Sequence, residues 1–282
     1  MSPSGKTRVA GVIGWPVAHS LSPRLHGYWL ERHRIDGAYV PLPVRPGELG
    51  PALAGLKALG MAGANVTLPH KEEALALADE AEPLARRIGA VNTLVVRSDG
   101  SLYGRNTDAL GFARNLRASA PGWQGQGRAA TVLGAGGSAR AVVAALIDLG
   151  CGEIRLVNRS EKRARTLAQD LGGTIRVLPW ASAASALDGA ALLVNATTLG
   201  MQGHPQLDLD LAPLPADAAV ADLVYAPLET SLLAAARARG LAPVDGLGML
   251  LHQAAPGFAA WFGVEPEVTE ELRRTVAAGL VA

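Results

Sequence analysis

The sequence predicts an α/β protein of two domains, each organised on a mostly parallel sheet. Three observations predict it. Apolar runs of strand length alternate with helically spaced stretches along nearly all of the 282 residues. One run, Thr131-Val132-Leu133, passes through Gly134-Ala135-Gly136-Gly137 into a helical segment opened by Ser138, the strand–turn–helix unit of a parallel sheet. The stretch Pro121-Gly122-Trp123-Gln124-Gly125 has linker composition and divides a chain long enough for two buried cores.

Each element follows in order. Arg8 to Gly14 reads as a strand, and Ser22-Pro23 opens a helix to about Arg34, with Ser22 as N-cap and Pro23 at the first helical position. Ala38 to Val44 is strand-like, Pro46 to Leu59 helical, Met61 to Thr67 strand-like, and His70 to about Ile88 helical. Val91 to Arg97 and Leu102 to Gly104 flank S-D-G-S, a hairpin signal that adds an antiparallel edge. Asp108 to Leu116 is a helix closing the first unit. Beyond the linker, the helix after the glycine turn carries Val142, Val143, Leu146, Ile147 and Leu149 at helical spacing and stops at Gly150. Strands are expected at 153–159, 174–178, 191–195, 220–225 and 242–244, with helices from Ser160 and from Thr230 to Arg239 between them. After Asp245 the pattern is helical to the end, interrupted at Pro256 and around Gly263 to Pro266, and two helices after the last strand need a sheet to cover. The expected division is 1–115 with 247–282 as one domain and 116–246 as the other.

Composition narrows the function. A net charge of +1 with scattered Lys and Arg gives no footprint for nucleic acid or an anionic membrane. The single Cys151 excludes an internal disulfide, and no Cys, His or acidic cluster has metal-ligand spacing. The longest apolar run, Ala254 to Val264, is broken by Pro256 and falls short of the roughly 20 residues of a membrane span. The start, M-S-P-S-G-K-T-R, lacks the apolar core of a signal peptide, so a cytoplasmic protein is expected. Monomer and homodimer are both left open.

The glycine turn carries the first chemistry. Gly134, Gly136 and Ala139 fill G-x-G-x-x-G/A, which lets backbone approach a pyrophosphate at a helix N-terminus. The next strand ends in Asn158-Arg159, where an NAD site has Asp or Glu for the ribose 2′-hydroxyl. A carboxylate repels a 2′-phosphate, whereas a guanidinium binds one through forked hydrogen bonds, so the expected cofactor is NADP in a Rossmann-type domain. Ser160, Lys162, Arg163 and Arg165 follow, placing cations on the first turns of a helix whose dipole opposes them unless an anion sits between.

Four short polar groups interrupt the apolar pattern at strand ends and loop starts, where a parallel sheet gathers ligands: His19 to Pro23, Asn65 to Lys71, Val91 to Thr93 and Asn106 to Asp108. Taken singly, each also serves as an ordinary cap or strand end. Together their hydroxyls and amides suit a polyhydroxylated substrate. Hydride transfer from an alcohol also needs a group that exchanges the hydroxyl proton, and Lys71 is the candidate. None of the six histidines has a clear partner, and His26 and His33 read as surface or packing residues of the first helix.

Nine segments together resemble the shikimate dehydrogenases: S-L-S-P-R-L-H (20–26), N-V-T-L-P-H-K (65–71), G-A-V-N-T-L (89–94), G-R-N-T-D (104–108), G-A-G-G-S-A-R-A (134–141), V-N-R-S (157–160), N-A-T-T-L-G-M (195–201), D-L-V-Y (222–225) and D-G-L-G-M-L-L-H-Q-A (245–254). The resemblance implies reversible NADP-dependent reduction of 3-dehydroshikimate to shikimate. It implies a mostly parallel N-terminal αβ substrate domain, to which the C-terminal helices return, and a Rossmann-type NADP domain. Carried over residue by residue, Lys71 exchanges the proton with Asp108 as its partner, and both touch substrate. Ser20 and Ser22 bind the carboxylate, with Thr67, Asn92, Tyr225 and Gln253 completing the substrate shell. Gly134, Ala135, Gly136, Gly137 and Ser138 cradle the pyrophosphate. Asn158, Arg159, Ser160 and Arg163 surround the 2′-phosphate, and Leu223 and Gly246 lie near the nicotinamide. Two positions depart from the family's habit: Ala226 stands where Asn is common, and Thr198 where Ser is common.

The rival within enzymes is a relative that also oxidises quinate or prefers NAD, against which Ser22 and Arg159 argue. The rival of another class is a sensing module that binds NADP or shikimate without turnover. Such a module has no use for Lys71 and Asp108 together.

Overall fold

The computed structural model describes residues 4–280. The start of the N-terminal octapeptide and the last two residues of the expected C-terminal helical stretch lie outside the described residues. The chain divides into two compact units, Met1–Thr107 with Gln253–Ala282, and Asp108–His252.

The first unit holds strands β1 (Arg8–Gly14), β2 (Gly37–Pro43), β3 (Gly63–Val66), β4 (Glu80–Ala81), β5 (Thr93–Val96) and β6 (Leu102–Arg105) in the order β2-β1-β3-β5-β6-β4. β1 pairs in parallel with β2 and β3, while β5 runs antiparallel to both β3 and β6 as the hairpin signal predicts. Around this sheet lie α1 (Ser22–Arg32), α2 (Leu49–Ala58), α3 (Lys71–Leu77) and α4 (Pro83–Ile88). One core joins Ile13, Ala64, Val66 and Leu94 of the strands to Leu49, Leu53 and Leu56 of α2.

Two expectations fail here for identifiable reasons. The single helix over 70–88 is broken into α3 and α4, because Pro83 offers no N–H and holds Glu82 extended at ψ 152°. The freed segment serves as a brace, with Glu82 accepting the Asn106 N–H at 2.7 Å and Asp79 that of Leu102 at 2.7 Å. Ser22 is not the N-cap of α1. Leu21 occupies that position without a side-chain bond, and the Ser20 hydroxyl accepts the Ser22 N–H at 3.3 Å.

The second unit is an all-parallel sheet of β7 (Ala129–Leu133), β8 (Glu153–Asn158), β9 (Ile175–Pro179), β10 (Leu192–Asn195), β11 (Ala219–Asp222) and β12 (Ala242–Val244), ordered β12-β11-β10-β7-β8-β9. Its central strands are buried on both faces, hence the unbroken apolar run Leu192-Leu193-Val194. Helices α5 (Asp108–Ser119), α6 (Gly137–Asp148), α7 (Glu161–Leu171) and α8 (Ser231–Ala238) belong to this unit, and α5 packs against α6.

α9 (Gly246–Phe262) and α10 (Glu270–Ala277) complete the chain. Contrary to expectation, α9 continues through Pro256. An interior proline costs about 3 kcal/mol, but Phe258, Trp261 and Phe262 are each buried within the next two turns, and each such side chain contributes about 1.5–3 kcal/mol. The Trp261 indole donates to the Leu94 carbonyl at 2.9 Å, and a Cβ at Gly63 would fall 2.3 Å from that same indole nitrogen. With φ at +152°, Gly63 meets both a backbone and a space requirement that only glycine satisfies.

Candidate active site

In the first unit the structure joins Asn65, Asn92 and Gln253 through one buried network. The Tyr39 hydroxyl donates to Asn65 Oδ1 at 2.6 Å and also shares a hydrogen bond with Ser22. Burial holds the Tyr39 phenol well above its ordinary value, so it acts as a neutral donor. Asn65 Nδ2 then donates to the Asn92 carbonyl at 3.2 Å and to Thr93 Oγ1 at 3.1 Å. Asn92 Oδ1 accepts the Thr107 N–H at 2.8 Å, while Asn92 Nδ2 donates to Thr107 Oγ1 at 3.0 Å and Gln253 Oε1 at 3.1 Å. Thus the strand-end amides expected to touch a polyhydroxylated ligand are held in fixed orientations before any ligand arrives.

Lys71, only 9% exposed, is the first residue of α3, and its carbonyl accepts the Val91 N–H at 2.8 Å, one residue before Asn92. Thr67 is half-buried in the turn between β3 and α3, where its carbonyl accepts the His70 N–H at 3.0 Å. His70 is spent on structure, with Nε2 2.8 Å from the Val44 carbonyl. His26 is fully buried and stacks on Tyr39 at 3.9 Å between ring centroids, so of the two readings it is packing. Burial pushes its imidazole down to about 3, although the nearby Asn65 side chain pulls the other way without completing a hydrogen bond to either ring nitrogen. His33 is exposed. Asp108, also buried, is the first residue of α5 and belongs to the second unit.

The second unit carries the nucleotide features. β7 turns at Gly134, whose φ of +111° and close approach to the Ala196 carbonyl exclude a side chain. Gly136 is the N-cap of α6, no side chain caps that helix, and a Cβ at Gly136 would project into open space. Backbone N–H groups of Gly137, Ser138 and Ala139 at the start of α6 therefore form a cradle that fits a pyrophosphate, with Ala135 lining the turn. At the end of β8, Arg159 is exposed with no acidic residue beside it, which fits a 2′-phosphate. Asn158 Nδ2 donates to the Ser160 carbonyl at 2.9 Å, and Ser160 Oγ accepts the Arg163 N–H at 3.4 Å, so Ser160 caps α7 as the sequence predicts. Arg165 is engaged by Glu161 at 3.0 Å.

The expected strand 220–225 ends at Asp222, because Asp222 Oδ1 accepts the Val224 N–H at 3.0 Å and turns the chain. Leu223 and Tyr225 consequently sit in a loop, both partly exposed. Gly246 lies against that loop, and a Cβ there would come 2.3 Å from the Leu223 carbonyl. Among the described residues no group of three or more His, Cys, Asp or Glu could hold a metal ion, and no helix is long and apolar enough to cross a membrane. Sequence reasoning named no individual role for Tyr39, Asn195 or Asp222, and took Thr93 and Thr107 only as members of polar groups at strand ends and loop starts.

Comparison with known proteins agrees along the whole chain. Residues 12–94 match the family described as Shikimate dehydrogenase substrate binding domain, residues 119–201 match Shikimate / quinate 5-dehydrogenase, and residues 246–276 match Shikimate 5'-dehydrogenase C-terminal domain. The shikimate dehydrogenase (NADP(+)) of Paramagnetospirillum magneticum is 63% identical over 273 residues, covering 97% of this chain and 99% of that one. The enzyme of the same name from Rhodospirillum rubrum is 62% identical over 277 residues, covering 97% and 98%. The crystal structure of shikimate 5-dehydrogenase from Thermus thermophilus in complex with NADP(H) and shikimate superposes with a TM-score of 0.83 at 39% identity, covering 98% of this chain and 99% of that one.

Proposed function

The chain belongs to the shikimate dehydrogenase family, and from that premise we propose how its own residues carry the reaction. It is an NADP-dependent oxidoreductase that reversibly reduces 3-dehydroshikimate to shikimate, a step of aromatic amino acid biosynthesis. The observation that carries the reading is the pairing of a preorganised amide network in the first unit with a phosphate-ready glycine turn and Arg159 in the second. NAD use is not favoured because the exposed end of β8 offers a guanidinium and no carboxylate, and quinate use is not favoured because relatives at 58–63% identity are named shikimate dehydrogenase (NADP(+)).

Residues 1–115 with 247–282 are proposed to bind substrate and residues 116–246 to bind NADP. NADP supplies the hydride acceptor and, when reduced, the hydride donor. Ser20 and Ser22 hold the substrate carboxylate, while Thr67, Asn92, Tyr225 and Gln253 bind the ring hydroxyls. Lys71 delivers a proton to the carbonyl oxygen as that oxygen gains charge, and takes it back in the reverse direction. Asp108 orients the ammonium for that exchange. Gly134, Ala135, Gly136, Gly137 and Ser138 bind the pyrophosphate, Asn158, Arg159, Ser160 and Arg163 the 2′-phosphate, and Leu223 and Gly246 flank the nicotinamide. A cytoplasmic location goes with this small-metabolite, nucleotide-dependent chemistry.

The test is the initial rate of nicotinamide reduction with shikimate and with quinate, each paired with NADP and with NAD. Shikimate with NADP is expected to lead in kcat/KM by orders of magnitude. Comparable values for quinate or NAD would make this a broader-specificity member of the family.

A further inference from the structure

In an open parallel sheet a dinucleotide lies across the carboxyl ends of the strands, at the point where strand order reverses. In the second unit that point is between β7 and β10. The 2′-phosphate features stand at the end of β8, on one side of β7, so the other half of a bound dinucleotide extends over the ends of β10 and β11. Those two strands end in Asn195 and Asp222, register partners that are 0% and 1% exposed.

Every hydrogen-bonding capacity of the Asn195 side chain is used. Nδ2 donates to the Leu199 carbonyl at 3.0 Å and to Asp222 Oδ1 at 2.9 Å. Oδ1 accepts the Thr197 N–H at 3.1 Å and the Thr197 hydroxyl at 2.7 Å. Asp222 in turn accepts the Val224 N–H at 3.0 Å and the Thr230 hydroxyl at 2.7 Å, and Thr230 caps α8. The loop begun by Asn195 also presses on the glycine turn, since the Ala196 carbonyl lies 2.9 Å from where a Gly134 Cβ would stand. One buried amide therefore joins the glycine turn, the 195–199 loop and the 222–225 loop.

Resting on the NADP-dependent reading above, we propose that Asn195, working through Asp222, is a positioning residue for the nicotinamide half of the cofactor. It touches neither cofactor nor substrate. Its role is to fix the backbone of the two loops on which the nicotinamide ring rests, including Leu223.

The experiment compares Asn195→Ala with the wild type in two measurements. One is kcat/KM for NADP; the other is the calorimetric affinity for NADP and for adenosine 2′,5′-bisphosphate, a probe that carries the adenine and 2′-phosphate but no nicotinamide. The expected result is a loss of about tenfold or more in kcat/KM, with bisphosphate affinity within about twofold of wild type. Equal losses for the bisphosphate and for NADP, or no loss in kcat/KM, would overturn the proposal. Thr230→Val is the milder variant should Asn195→Ala fail to fold. It is expected to lose about threefold in kcat/KM for NADP at unchanged bisphosphate affinity, with Thr230→Ser restoring it. Retention of full activity by Thr230→Val, or failure of Thr230→Ser to restore it, would count against the proposal. If the wild type binds NADP but turns over no shikimate, the functional reading fails by itself. The ratio of NADP to bisphosphate affinity in the variants then decides the role of Asn195.

Discussion

The side-chain amide of Asn92 donates to Gln253 Oε1 at 3.1 Å, across 161 positions of sequence. This bond sets the amide orientation of Gln253, with Oε1 toward Asn92 and the Nε2 donor on the opposite side. The same bond ties the middle of α9 to the strand-end amides of the first unit.

Gln253→Glu keeps an acceptor for Asn92 but removes that donor and adds a charge near an anionic substrate. It is expected to raise the KM for shikimate by about tenfold or more while leaving the KM for NADP within about twofold. Steady-state kinetics with each substrate varied in turn check this. An equal rise in both KM values would show that Gln253 acts on the protein as a whole.

Lys71→Ala is expected to lower turnover by about 100-fold or more with NADP affinity intact, since it removes the group proposed to exchange the proton and alters none of the residues proposed to bind NADP. Turnover at saturating shikimate, paired with a direct NADP titration, measures the two separately. Loss of cofactor affinity in this variant would mean that Lys71 has another role.

Arg159→Ala is expected to reduce kcat/KM with NADP by about 10- to 100-fold and to leave NAD use little changed, because only NADP carries the 2′-phosphate. Parallel assays with the two nicotinamide cofactors decide it, and equal losses would remove the case for that contact.

Most of the architecture was legible because a doubly buried strand advertises itself. β1, paired on both sides, begins and ends where its apolar run does, and the turn at Gly134 announces a βα corner. Less legible were features whose cause lies far along the chain. Pro83 was outweighed by the helical spacing on both sides of it, though Glu82 and Asp79 have partners at 106 and 102 that need the break. Ser22 looks like a cap until Tyr39 arrives beside it, and His26 can be settled as packing only when Tyr39, Phe258 and Trp261 close around it. Asn195 and Asp222 are 27 positions apart, and no local pattern says that they face each other.

Asp222 gives the stability of the protein a pH dependence of unusual sign. Burial raises its carboxyl from 3.8 to about 6, against the opposing pull of the Thr230 hydroxyl, the Val224 N–H and the Asn195 amide. Between pH 3.8 and about 6 the folded state thus holds a proton that the unfolded chain has released. Its contribution is fully present below the lower value, falls as pH rises through the window, and by pH 7 has cost on the order of 3 kcal/mol. Asp222→Asn removes the titration and can keep all three contacts, with Oδ1 accepting from Asn195 and Val224 and Nδ2 donating to the Thr230 oxygen. The difference in unfolding midpoint between Asp222→Asn and wild type is therefore expected to move in favour of the variant as pH is raised from 4.5 to 7.5. Denaturant titrations of both proteins across that range measure it. A difference that stays constant with pH would show that Asp222 is ionised throughout and that its three donors outweigh its burial.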